Sequence, residues 1–169
     1  MRVRIGVTGR RALLTGHIVT SVGLLGSVAV VLAINIRAAA TSDAELAASS
    51  YELLAMLTLL FGIPLSFASL ISGVLLGLSS KWGIIRYGWV VTKLVLLIGV
   101  ILMGALVLGP GTDSMRNGDG GAEPRLIAGS AYDVSALLIA TGFSVFKPRR
   151  RQPRGHVSER PEVFSADPK

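Results

Sequence analysis

Residues 53–78 read LLAMLTLLFGIPLSFASLISGVLLGL, a run of 26 positions without a charged side chain. A helix of that length rises about 39 Å, more than the ~30 Å hydrocarbon core of a bilayer. A helix on a soluble protein keeps a polar face for water, and this one has none. The run therefore reads as a transmembrane span. Pro64 lies inside it and predicts a kink, because proline removes a backbone donor.

Working outward, three more runs have the same character. Residues 12–36 carry no charge apart from a protonatable His17, and residues 89–108 carry only Lys93. Residues 126–146 are the least apolar and contain Ser130, Asp133, Ser135, Thr141 and Ser144. The composition agrees: 51 % apolar, 16 % charged and a mean hydropathy of +0.62 leave too little charge to solvate a soluble domain. The expected fold is an all-α membrane protein, a four-transmembrane-helix bundle over residues 12–147. Residues 1–11 form a basic N-terminus and residues 148–169 a basic, Pro- and Arg-rich tail expected to be disordered. Residues 37–52 and 109–125 are expected as outer loops, the second made mobile by Gly118, Asp119, Gly120 and Gly121, and residues 79–88 as a tight inner loop.

The flanking charges set the orientation. Arg2, Arg4, Arg10 and Arg11 precede the first span, Lys81 and Arg86 separate the second from the third, and seven Lys or Arg follow the fourth. Only Arg37, Arg116 and Arg125 lie on the other side, beside six acids. Thirteen basic residues against three place both termini in the cytoplasm, on a multi-pass protein of the cell membrane. The net charge of +7 is thus a topology signal, and no basic face interleaved with aromatics offers itself to nucleic acid. Trp82, Tyr87 and Trp89 read as interfacial anchors. Arg10-Arg11 and Ala38-Ala39-Ala40 resemble parts of a cleaved leader, but the apolar stretch between them is too long, so an uncleaved signal anchor is expected.

Lipid supplies little hydrophobic drive between helices, so small residues that let backbones approach matter more. The first span has Gly16, Thr20, Gly23 and Ser27 at helical spacing; the second has Gly62, Ser66, Ser69, Gly73 and Gly77. These two faces are expected to meet as packing surfaces.

Ionisable side chains within a span are costly and flag function. His17 and Lys93 fall at one depth near the inner boundary. One reading makes His17 an axial ligand of haem or copper, with Lys93 a second ligand or partner to a propionate. The plainer reading makes Lys93 a snorkelling residue and His17 part of a hydrogen-bond cluster with Thr20 and Ser21. The only other histidine, His156, is in the tail, which rules out a bis-histidine site within the spans. Asp133 is expected either to relay a proton or cation or, on the preferred reading, to pair near the outer surface with Arg37, Asn35, Tyr51 or Arg125. Cysteine is absent, and no motif for nucleophilic catalysis, phosphate binding or metal-assisted hydrolysis is present.

Several strings carry a resemblance. Thr15-Gly16-His17-Ile18, Ser21-Val22-Gly23-Leu24-Leu25-Gly26, Pro64-Leu65-Ser66, Leu70-Ile71-Ser72-Gly73, Lys81-Trp82-Gly83-Ile84-Ile85-Arg86, Trp89-Val90-Val91-Thr92-Lys93-Leu94 and Ser144-Val145-Phe146-Lys147-Pro148-Arg149 occur in order. Over about residues 12–150 they resemble a family of small, uncharacterised actinobacterial four-span membrane proteins. That likeness implies the architecture and no activity. A fainter similarity reaches the copper-resistance D type and protoporphyrinogen-oxidase-like membrane proteins, where His17, Trp89 and Lys93 would be the matching cofactor positions. Histidines that such relatives carry in the central loop and early in the fourth span are here Tyr87 and Gly129 or Ser130.

The sequence therefore points to a non-enzymatic membrane protein that binds a partner, a second copy of itself or a membrane assembly. The alternatives are a haem- or copper-associated redox or carrier protein using His17 and Lys93, and a small transporter using Asp133.

Overall fold

A computed structural model describes residues 6–79 and 88–145. The basic tail with His156, most of the inner loop and the side chain of Trp89 lie outside the described residues. Four helices are long and apolar enough to cross a membrane: Val7–Ala40, Ala44–Leu78, Val90–Arg116 and Glu123–Ser144. The first is one α-helix, α1 (Val7–Ala40). The second is α2 (Ala44–Leu57) joined to α3 (Ile63–Leu78), and the third is α4 (Gly88–Met103) joined to α5 (Gly109–Arg116). The fourth is α6 (Glu123–Val145). Helix α1 packs against α2, α3 and α6; α4 packs against α3 and α6, and α2 against α5. Each span therefore neighbours the next around an up-down bundle. The end that the charge asymmetry assigns to the cytoplasm is called the inner end below.

The α2–α3 and α4–α5 junctions are single π turns, Thr58–Gly62 and Gly104–Leu108. Ile63 N–H reaches back to Thr58 O and Gly109 N–H to Gly104 O, one residue further than in an α-helix. Each turn is followed one residue later by a proline, Pro64 or Pro110. Proline lacks the N–H and crowds the carbonyl four residues back, and a widened turn relieves that crowding. The defect expected at Pro64 thus takes the form of a π turn, and Pro110, expected in a loop, does the same inside the third span.

Both outer loops are shorter than expected. Residues 44–52 and 109–116 are helical, and the connections shrink to residues 41–43 and 117–122. Asp43 caps α2, its carboxylate accepting from Glu45 N at 3.0 Å and Leu46 N at 3.2 Å. Helix α5 closes on Gly118, whose φ of 84° admits glycine most readily, with Asp119 N bonding Ser114 O and Gly118 N bonding Met115 O. Loss of hydrophobicity marks where a helix leaves lipid; the caps mark where it ends.

The interior has two apolar clusters. Val31, Ala38, Tyr51, Leu54, Leu108, Ala122 and Leu126 fill the outer half. Leu24, Val28, Val100, Ala136 and Leu137 fill the layer beneath. On α1 the inward face runs through His17, Ser21, Leu24, Val28, Val31, Asn35 and Ala38, alternating steps of four and three residues. That seven-residue period is the pattern of helices packed near-parallel in a bundle.

Candidate functional site

Polar side chains inside the bundle form two clusters, one on each side of the Leu24 layer. The inner cluster joins α1 to α3. Ser21 Oγ and Ser69 Oγ lie 2.9 Å apart, and His17 Nδ1 lies 2.9 Å from Ser72 Oγ. Ser72 has one hydroxyl proton, and it is directed to the Ala68 carbonyl at 2.6 Å. Ser72 Oγ therefore accepts, and His17 Nδ1–H donates. A neutral imidazole held this way keeps its lone pair on Nε2. The ring lies over Gly73, where an added Cβ would stand 3.1 Å from His17 Cε1. A side chain at position 73 would press the imidazole back by a few tenths of an ångström.

Lys93 has a partner on the fourth span. It donates to Ser144 Oγ on α6, although it stays near enough to His17 to act on it electrostatically. The sequence placed both residues at one depth; the bundle aims them at different neighbours. Among the described residues, no three His, Cys, Asp or Glu side chains gather where they could hold a metal ion.

The small residues divide between faces. Ser66 and Ser69 are buried, Gly73 lies under His17, and Gly23 faces Leu65, which an added Cβ would meet at 3.4 Å. Thr20 bonds back to the carbonyls of Gly16 and His17, within its own helix. Gly16 opens onto empty space, and Gly62 neighbours only Thr58 of its own span. Gly77 is half-buried on α3, and Ser27 lines an outer groove. The polar contacts between α1 and α3 thus run through His17 and Ser21, one position round from Gly16 and Thr20.

The outer cluster joins α1 to α6. Asn35 and Asp133 are each 2 % exposed and Ser130 is 0 % exposed. Asn35 Nδ2 approaches Ser130 Oγ at 3.5 Å, and Ser130 Oγ donates to the Leu126 carbonyl at 2.7 Å. Asn35 Oδ1 and Asp133 Oδ1 are buried with no hydrogen-bond partner. Of the four partners expected for Asp133, only Asn35 shares its cluster, and it lies in the interior and not at the surface. Arg37 and Arg125 are exposed, and Asp133 accepts from neither of them nor from Tyr51. The geometry explains why: Arg37 is two residues beyond Asn35, about 200° around the helix, so burying one exposes the other.

The fold and these intramembrane clusters define a multi-pass integral membrane protein built as a four-helix bundle. Residues 11–146 match the profile of the family described as predicted integral membrane protein (DUF2269), and the chain belongs to that family. No curated protein and no solved structure matches it.

Proposed function

We propose that this protein works non-enzymatically in the cell membrane, binding a transmembrane helix of a partner protein or assembly. The supporting observation is an open groove of about 230 Å³ between the first two spans. It is lined by Gly23, Gly26, Ser27 and Val30 of the first span and by Leu57, Phe61 and Leu65 of the second. The π turn supplies Phe61, and a Cβ on Gly26 would meet nothing within 4 Å. A groove inside lipid with an open glycine such as Gly26 admits a second backbone closely, which is where helices gain most from packing. Our reading leaves out transport by Asp133, because Leu24, Val28, Val100, Ala136 and Leu137 fill the bundle between its cluster and the inner end.

The absence of native cysteine makes the test direct. Gly26→Cys carrying a photo-crosslinker should give a protein adduct of fixed mass in intact membranes. Val95→Cys, on the lipid-facing side of α4 at 61 % exposure, should give lipid adducts only. Lipid adducts at both positions would remove the reading.

A second reading has its own support. His17, with Nδ1 donating and Nε2 carrying the lone pair, is oriented as haem- or metal-ligating histidines are. It fits as a single nitrogen ligand, with Lys93 at the same depth and Trp89 one helical turn before it in the sequence as candidate contacts. Purified protein should then show a Soret band or bound copper that His17→Ala abolishes. A featureless, metal-free spectrum would leave His17 as a packing residue.

A further inference from the structure

The outer cluster holds one donor group, the Asn35 amide nitrogen, and it is directed to Ser130 Oγ. Ser130 spends its one proton on the Leu126 carbonyl, so its remaining capacity is a lone pair. Asn35 Oδ1 and Asp133 Oδ1 have no donor. Turning the Asn35 amide over would not help, because its oxygen would then face Ser130 Oγ, whose proton is already committed. Ser130 and Asp133 are three residues apart on α6 and share one face, which meets Asn35 on α1. Three buried side chains that carry oxygens thus belong to one contact between α1 and α6, and the oxygens of Asn35 and Asp133 lack a donor there.

Buried acceptors without donors are rare and call for a partner. A neutral hydrogen-bonding ligand would bring acceptors of its own to a cluster whose donor group, Asn35 Nδ2, is already directed to Ser130. A small cation brings none, and oxygen donors of this kind suit hard cations and protons. The charged groups on the surrounding helices offer no substitute. Arg116 bonds Asp113, and Lys93 reaches Ser144 at the inner end. Arg37, Glu52 and Arg125 are exposed, and Glu123 is half-buried at the start of α6.

We propose that Asn35, Ser130 and Asp133 form a binding site for one small monovalent cation, a sodium ion among the three oxygens or a proton shared between Asp133 and Asn35. The layer of Leu24, Val28, Val100, Ala136 and Leu137 closes the inner side and the cluster around Ala38, Tyr51, Ala122 and Leu126 the outer side, so exchange requires the bundle to open. The site senses or stores the cation without conducting it.

The test uses the full chain in lipid nanodiscs equilibrated in choline buffer at constant pH. Sodium chloride is titrated by calorimetry, and the carboxylic-acid carbonyl band is followed by infrared difference spectroscopy. If the occupant is sodium, a saturable isotherm appears with a stoichiometry of about one. Asp133→Asn abolishes it, and Ser130→Ala weakens it about tenfold. If the occupant is a proton, sodium has no effect, and a protonated-carboxyl band is present that Asp133→Asn removes and Asn35→Leu shifts. Asp133→Asn changes no volume, and Ser130→Ala removes only one oxygen from a helix that Ala favours, so both keep the fold. Absence of both signals in the wild-type chain, or their survival in Asp133→Asn, overturns the proposal.

Discussion

Gly99→Ala should destabilise the bundle by about 1–3 kcal/mol, and adding Tyr132→Phe should return most of that loss. Gly99 on α4 faces Tyr132 on α6. A Cβ at position 99 would stand 2.4 Å from the phenolic oxygen, a distance that something must move to relieve. The next atom, Cζ, would be 3.5 Å away, an ordinary contact. The clash is therefore one oxygen deep, and removing that oxygen removes it. Tyr132 is 40 % exposed, so its ring has some freedom to swing toward lipid, which would place the cost at the lower end of the range. Reversible unfolding in mixed micelles would give the two single variants and the double variant, and the cycle isolates their coupling. A double variant no more stable than Gly99→Ala alone would show that the loss comes from the helix backbone and not from Tyr132.

That contact also shows where sequence reading stopped. The four spans were legible because missing charge over 20 or so residues has one economical explanation in water or lipid. Their ends were not, since a helix continues past the bilayer until a cap stops it, and Asp43 and Gly118 are ordinary residues until the turn forms around them. Proline announced a defect at Pro64, but a widened turn and a kink share the same sequence mark. The inward face of α1 was read from its small residues, whereas the bundle selects the heptad through Leu24, Val28 and Val31. Small residues permit close approach; large ones at the right period fill the space between helices, and here filling decided the rotation. Of that small-residue face, Gly16 was left facing outward. His17 was legible as a polar contact but not its tautomer, which depends on the single proton of Ser72, 55 residues away. Asp133 stood out as an intramembrane acid. Its burial did not, because it follows from Asn35 facing inward and carrying Arg37 to the opposite side.

Leu24→Ala should be the most costly truncation on α1, at about 2–5 kcal/mol, while Val22→Ala two residues away should cost close to nothing. Leu24 is 0 % exposed and sits at the centre of the layer with Val28, Val100, Ala136 and Leu137, whereas Val22 is 63 % exposed on the lipid side. In a bilayer the burial of Leu24 gains little from leaving water, because lipid is as apolar as the interior. Its contribution is dispersion contact with close-packed neighbours, and the cavity left by alanine forfeits those contacts without a lipid tail to refill it. Leu24→Met keeps the volume and should cost less than about 1.5 kcal/mol. The same layer divides the His17 cluster from the Asn35–Asp133 cluster, so its loss has a second consequence. A void beside two polar clusters can admit water where an apolar one stays dry. Leu24→Ala should therefore let a small thiol reagent added from the inner side reach Asn35→Cys, which in the otherwise native chain is buried and reacts slowly from either side. Equal stability of Leu24→Ala and Val22→Ala would mean that the helix is rotated and the heptad face is not the packed one. A costly Leu24→Ala with unchanged labelling would locate the seal between the clusters in Val28 and Val100 instead.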